Sequence, residues 1–292
     1  MHDPADDSPI HPPNRFGMVA SDDTKGQTND GSFWGTDYVR RMHAELGKDA
    51  CRKLAIFELP EGFLLSVVVP VFNESGTVTS VVDRLRATGL PMQIILIDDG
   101  SKDGTLEAMS TLEHDPDVIV IAHERNRGKG AAIRSGFEQA TGDIVVIQDA
   151  DREYDPSDFR YLLQPLIAGE ADVAYGTRYG HYDRQLSPWW HQTVNGLITL
   201  LASIAIGIRL SDVETCYKMV PRKHLQQIMP DLQECRFGIE IELTARLARL
   251  GLRFTERPIR YQHRWYDEGK KIGWRDGVGA LWCIVKYGLF RR

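Results

Sequence analysis

Asp149, Asp151 and Glu153 stand at alternate positions directly after the apolar run Ile144-Val-Val-Ile-Gln148. In an extended chain alternate side chains point to one side, so the three carboxylates could converge on a single ligand. Three oxygen donors suit a hard dication, Mg²⁺ or Mn²⁺, better than zinc. Such an ion commonly bridges phosphate oxygens. The same acids also fit a solvated turn closing a strand, so the surrounding elements decide.

Those elements must be strands that open onto polar loops. Ile144–Gln148 is β-branched, apolar and bounded by Gly142 and by charge, as a buried strand should be. Leu64–Val69 is a second candidate and runs directly into Pro70-Val-Phe-Asn-Glu74. A helix over 77–88 follows, with Val78, Val81, Val82 and Leu85 on one face and Gly89 and Pro91 behind it. Gln93–Ile97 is the next strand, ending in Asp98-Asp-Gly-Ser101. Asp103 then caps a helix to about Leu112, and Val118–Ala122 is a third strand. Asn126-Arg-Gly-Lys-Gly130 leads into a helix carrying Ile133, Gly136 and Phe137. A helix after Pro156 and a strand at 172–176 continue the alternation. Strands alternating with helices imply an α/β fold, a mostly parallel sheet covered on both faces, with the strand-end loops at one edge.

The chain has 292 residues, 42% of them hydrophobic, enough for one large domain with additions. A net charge of −6 excludes a general nucleic-acid binder, so no nucleic acid is expected as a partner. Four scattered cysteines without a Cys-x-x-Cys pair read as reduced thiols. Residues 1–30, rich in Asp, Pro, Ser and Gly, are expected to be disordered. Residues 31–62 read as an accessory arm in which Thr36 caps a helix ending at Gly47. The arm would pack on the main domain or on a second subunit, which leaves a homo-oligomer open. The main domain spans 63–275 and an amphipathic C-terminal helix 276–292. No leader pattern and no run long enough to cross a bilayer is apparent.

Taken in order, Val-Val-Val-Pro-Val-Phe-Asn-Glu (67–74), Ile-Asp-Asp-Gly-Ser-x-Asp-Gly-Thr (97–105), Asn-x-Gly-Lys-Gly-Ala-Ala (126–132), Gly-Asp-x-Val-x-x-x-Asp-Ala-Asp (142–151) and Gly-Thr-Arg-Tyr (176–179) resemble a family 2 inverting glycosyltransferase with the Rossmann-like GT-A fold. Each motif alone is weak, and the five together are specific. Within that family the chain is most similar to polyprenyl-phosphate sugar transferases of the dolichyl-phosphate mannose synthase type. The resemblance covers roughly residues 63–275. It implies that Pro70, Phe72 and Glu74 form a lip for the nucleotide, with Glu74 on ribose hydroxyls. It implies that Asp99 meets base or ribose, and that Asp149, Asp151 and Glu153 share the metal, with Asp151 central to catalysis. This branch usually has Gln where Glu153 stands, a change that keeps a ligand and adds charge. Lys129, between two glycines that let backbone approach a ligand, could offset nucleotide or phosphate charge, or be a solvated loop lysine. Arg178 should face the crevice and meet phosphate, unless it is a surface ion pair.

The back half bears on the acceptor. Residues 195–207 are nearly uniformly apolar and read by default as a core helix, with an interfacial helix as the alternative. Ser211-Asp-Val-Glu-Thr-Cys-Tyr-Lys218 resembles the branch's acceptor element, which puts Asp212 and Lys218 on the acceptor side. Arg264-Trp-Tyr-Asp-Glu-Gly-Lys-Lys271 resembles a basic loop that closes over the diphosphate, where Arg264, Lys270 and Lys271 would donate. The expected reaction is metal-dependent inverting transfer of a hexose from GDP-mannose or UDP-glucose to a polyprenyl (dolichyl or undecaprenyl) phosphate. The expected place is the cytoplasm, held peripherally at the inner face of the membrane. Glu240 or Glu242 stands where a base for a sugar hydroxyl would be, so a saccharide-hydroxyl acceptor is the alternative. A nucleotidyltransferase and a non-catalytic sugar-nucleotide binder fit the motifs less well.

Overall fold

The computed structural model describes residues 35–179, 189–263 and 274–289. The proposed disordered segment, and Arg264, Lys270 and Lys271 of the basic loop, lie outside the described residues.

Four hydrophobic strands build the first half of the sheet: β1 (Leu65–Val71), β2 (Met92–Asp98), β3 (Val118–Ala122) and β4 (Ile144–Ile147). The helices between them are α3 (Val78–Arg86), α4 (Thr105–Ser110) and α5 (Lys129–Gln139), numbered after two helices of the arm, α1 (Thr36–Leu46) and α2 (Lys48–Lys53). The second half contributes α6 (Phe159–Ile167), β5 (Val173–Thr177), α7 (Trp189–Ile206), β6 (Lys218–Pro221), α8 (Arg222–Ile228), α9 (Ile239–Arg249), β7 (Phe254–Pro258) and α10 (Trp274–Cys283), which runs on as a π-helical turn over Ile284–Leu289. Seven strands form one sheet in the order β3-β2-β1-β4-β6-β5-β7.

Register explains how the motifs meet. Val71 pairs with Asp98, and Val68 faces Ile95 on one side and Ile147 on the other. β1, β2 and β4 are mutually parallel, so they end together. Residues 70–74, 98–103 and 149–153 therefore emerge side by side from a core in which Val67, Val68, Ile95, Leu96 and Val146 are fully buried. Gly136 lets α5 lie close on this layer, since a Cβ there would meet Val68 Cγ1 at 2.4 Å.

The departures from expectation have physical causes. β6 runs antiparallel between β4 and β5. Its apolar content is only Met219 and Val220 between Lys218 and Pro221, too short to show a period. Thr36 does not cap α1. Gly35 precedes the helix, and the Thr36 hydroxyl donates to Glu58. The default reading of α7 as a core helix holds for one face alone. Ile198, Thr199 and Ala202 are buried, whereas Val194, Leu197, Leu200, Leu201 and Ile204 are exposed, Ile204 by 71%. A helix apolar on every side does not announce which face a neighbour will cover. The buried face joins α9 and α10 in a second core of Ile198, Ala202, Ile241, Ala245, Ala280 and Ile284. On α10, Val278, Leu281 and Trp282 face outward. Among the described residues no helix is long and apolar enough to cross a membrane.

Candidate active site

The lip after β1 is tied to the loop after β2. Asn73, at φ +50°, donates its backbone N–H to Ser101 Oγ at 2.8 Å and accepts from the Lys102 N–H at 2.9 Å. The Glu74 N–H donates to Thr105 Oγ1 at 2.8 Å, and Glu74 Oε2 accepts from the Thr77 hydroxyl at 2.7 Å. Phe72 and Pro70 are half-buried at this rim. Pro70, Phe72 and Glu74 thus share one edge of the crevice.

Asp99, expected at the base or ribose, is buried at the end of β2. It is 3% exposed, and its carboxylate accepts from the Arg127 N–H at 2.9 Å, the Gly128 N–H at 2.7 Å and the His123 ring at 2.8 Å. Three donors on one carboxylate fix the loop between β3 and α5. Gly128 and Gly130 face a protein neighbour. A Cβ on Gly128 would meet the Cys235 carbonyl oxygen at 2.4 Å, and one on Gly130 the Glu234 carbonyl oxygen at 2.4 Å. The close approach expected of a ligand is made instead by the backbone of 234–235.

Lys129 is not a solvated loop lysine, because its ammonium group is paired inside the crevice wall. Its Nζ lies 2.7 Å from Asp149 Oδ1 and 3.3 Å from Glu240 Oε1. Burial alone would depress its pKa, but Asp149 and Glu240 outweigh that and hold it well above the usual lysine value. Glu240 Oε2 in turn meets Lys218 Nζ at 2.6 Å, and Lys218 also donates to the carbonyls of Val213 and Thr215. Lys218 was expected on the acceptor side. Its side chain is wholly buried beneath it and neutralises Glu240.

The metal motif divides. Asp149 turns to Lys129, and Glu153 Oε2 accepts from Tyr261 OH at 2.7 Å. Asp151 has no ion-pair partner among the described residues and accepts only the Glu153 N–H, at 3.2 Å. Burial raises its carboxyl well above the usual range, and the charges of Asp149, Glu153 and Glu74 raise it further. Among the described residues no three such groups are close enough to form a ready metal site. The donor chemistry nevertheless fits a hard dication: the carboxylates of Asp149, Glu153 and Glu74 all act on Asp151. Completing a shell requires Asp149 or Glu153 to exchange a protein contact for the ion.

Arg178, at the end of β5, forms a two-point pair with Asp212, Nε to Oδ2 and Nη2 to Oδ1, each at 2.7 Å. Its guanidinium lies 5.3 Å from the Tyr261 ring centre. The pair is an inner one, so neither the expected surface pair nor a free phosphate clamp describes it. Asp212, expected on the acceptor side, is fully buried under Arg178. Asn195 of α7 joins this cluster: in the amide orientation that satisfies both ends, it donates to Glu214 Oε2 at 2.6 Å and accepts from Arg178 Nη2 at 2.7 Å and Tyr179 OH at 3.0 Å. Burial raises the Glu214 carboxyl, Arg178 partly counters it, and Asp212 adds to the rise. Glu214, Asn195, Tyr261 and His123 were missed. Only Glu214 gave a signal, an extra acid two residues after Asp212. Glu242 is committed as well, accepting the Gln233 and Glu234 N–H groups and pairing with Arg246 at 2.9 Å.

A mixed sheet with nucleotide-type loops at one end, an acidic turn after the central strand and an inner arginine defines a GT-A glycosyltransferase. The chain belongs to Glycosyl transferase family 2, whose profile matches residues 66–229. It is 28% identical over 231 residues to the undecaprenyl-phosphate mannosyltransferase of Micrococcus luteus, covering 77% of this chain and 94% of that one. It is 32% identical over 177 residues to the undecaprenyl-phosphate 4-deoxy-4-formamido-L-arabinose transferase of Aeromonas hydrophila, over 59% of this chain and 52% of that protein, so it spans about half of that relative's length. Its fold is similar to that of glucosyl-3-phosphoglycerate synthase from Mycobacterium tuberculosis, solved with Mn²⁺, uridine diphosphate and phosphoglyceric acid, with a TM-score of 0.60, 22% identity and coverage of 88% and 84%.

Proposed function

We propose that this glycosyltransferase moves a hexose from a nucleoside diphosphate sugar, GDP-mannose or UDP-glucose, to a polyprenyl phosphate of the undecaprenyl or dolichyl kind, with inversion. The carrying observation is the pairing of Glu240 and Glu242. Both acids that the sequence places where a base for a sugar hydroxyl would stand are held by Lys218 and Lys129 or by Arg246. A phosphate monoester acceptor is already ionised near neutral pH and needs no base. Undecaprenyl-phosphate transferases among the relatives support the same acceptor. The outward apolar faces of α7 and α10 support a peripheral place on the cytoplasmic side of a membrane, where such a lipid resides.

In this reading the rim of Pro70, Phe72 and Glu74 holds the nucleoside, and Asp99 positions the loop beneath it. Asp151, with Glu153 and Asp149 beside it, supplies the oxygens that Mg²⁺ or Mn²⁺ would take. Such an ion, when bound, offsets charge on the leaving diphosphate. Arg178 lends the same face a fixed positive charge oriented by Asp212, and Lys129 acts on the diphosphate through Asp149. Arg264, Lys270 and Lys271 remain proposed donors to the diphosphate. The acceptor oxygen attacks the anomeric carbon opposite the diphosphate, which departs with the bonding pair. A saccharide-hydroxyl acceptor is favoured by one feature, the raised Glu214 carboxyl beside Arg178, which could take a proton.

The test incubates the protein with labelled GDP-mannose or UDP-glucose, Mn²⁺ or Mg²⁺, and both undecaprenyl phosphate and a mixture of soluble saccharides, and follows label into the organic and aqueous phases. Metal-dependent transfer is expected. Label appearing only in soluble saccharides would replace the lipid reading with the Glu214-based alternative.

A further inference from the structure

Between the arm and α6 lies an open pocket of about 410 Å³, lined by Arg40, His43, Lys48 and Arg52 on the arm side and by Ile167 and Ala168 at the end of α6. α6 starts beside the acidic turn and runs away from it, its nine residues spanning about 13 Å. The cavity therefore belongs to the opposite end of the sheet from the crevice. Its arm-side walls precede residue 66, where the family profile begins.

Its charge is unbalanced. Glu58 and Glu170 are the acids of the lining. Glu170 is 3.8 Å from Arg52, and Glu58 accepts the Thr36 hydroxyl. Arg40 meets Asp37 at 3.4 Å, a pair in which both side chains are 74% exposed and which contributes little. Arg40, Lys48 and Arg52 against Glu58 and Glu170 leave one surplus positive charge in a pocket also lined by Val39, Ile56 and Ile167. The volume lies within the range of small-molecule sites. A hydrogen bond from Gln164 Nε2 to the Arg52 carbonyl at 2.8 Å already joins the two walls. A ligand held by both would clamp the arm to α6.

The geometry points to a second binding site here for an anionic amphiphile, a phosphate or carboxylate group on Arg40 and Lys48 with an apolar body against Ile56 and Ile167. The ligand chemistry is shared by a soluble acid with a short alkyl chain and by an anionic lipid headgroup.

The test titrates the full chain with octyl phosphate, octanol and inorganic phosphate by calorimetry, and sediments it with phosphatidylcholine vesicles with or without phosphatidylglycerol. Two variants isolate the cavity: Arg40→Glu with Lys48→Glu, all on exposed side chains, and Ala168→Trp, which fills the space without changing charge. Octyl phosphate should bind more tightly than octanol or phosphate, and both variants should weaken it roughly tenfold or more. Residual binding in the variants measures uptake by the crevice. If vesicle binding also falls in both variants, the ligand is a lipid headgroup. If only octyl phosphate binding falls, it is a soluble acid. Equal octyl phosphate binding by wild type and variants, or none by any, overturns the site.

Discussion

On one side of β4, Lys218, Glu240, Lys129 and Asp149 form a chain of alternating charges in which each group has an opposite partner within 3.3 Å. On the other side, Asp151 lies among Asp149, Glu153 and Glu74, and acids alone set its charge environment alongside burial. The two clusters share Asp149 and use the same chemical groups. The compensated one is sealed: Lys218 is fully buried and Glu240 nearly so. Charges removed from water in this way persist only when paired, and removing one partner is costly. The cluster around Asp151 lies at the crevice, and the neighbouring charges that act on Asp151 there are all negative. The difference separates a group of charges neutralised within the fold from one that, in the proposed function, takes a metal ion.

The largest effect expected from breaking this contrast is on stability. Lys218→Met should destabilise the fold by about 3–5 kcal/mol, because Glu240 stays buried with one partner fewer. Lys129→Met should cost less, since Lys129 is 16% exposed and lies 3.3 Å from Glu240, whereas Lys218 is fully buried at 2.6 Å. Urea unfolding of both variants checks the order, and equal losses would mean that Lys129 and Lys218 are not ranked by burial. Next comes Asp151→Asn, which should lower the transfer rate by roughly 10²–10³-fold while circular dichroism stays unchanged. Full activity would remove Asp151 from the metal site. Tyr261→Phe deletes the hydrogen bond to Glu153 and should cost about 1.5–3 kcal/mol of stability, read by thermal unfolding.

The smallest effect concerns pH. Glu234 accepts from Lys286 Nζ at 2.9 Å and Tyr287 OH at 2.7 Å, which docks the C-terminal turn. Burial raises this carboxyl, but the Tyr287 and Lys286 hydrogen bonds outweigh it and leave its pKa below the usual value. A depressed carboxylate contributes stability that is present above the unfolded value of about 4.3 and disappears as pH falls through the lower folded value. Proteolysis of the C-terminal helix should therefore accelerate below that window, by an amount worth less than about 1 kcal/mol, and Glu234→Gln should flatten the dependence.

The parallel half of the sheet was legible because its strands are continuous β-branched runs punctuated by Gly and Asp, a local signal. The site was legible as a set of positions and much less as a set of contacts. Asp99, Lys129, Arg178 and Lys218 all lie near the crevice, yet their partners are His123, Asp149, Asp212 and Glu240, 20 or more residues away in sequence. No spacing rule encodes such pairings, because they depend on which strands become neighbours. β6 illustrates the same limit: its reversed direction is set by its place between β4 and β5, and its own residues carry no mark of it.

The contact between Gly128, Gly130 and the backbone of 234–235 has a kinematic consequence. With a virtual Cβ only 2.4 Å from the facing carbonyls, the loop before α5 and the loop before α9 have no clearance to slide past each other. Asp99 fastens the first loop from below, and Glu242 fastens the second by its backbone N–H groups. The Ala131 N–H also donates to the Cys235 carbonyl at 3.1 Å, so a side chain at Gly128 or Gly130 would force apart two loops that are otherwise held together.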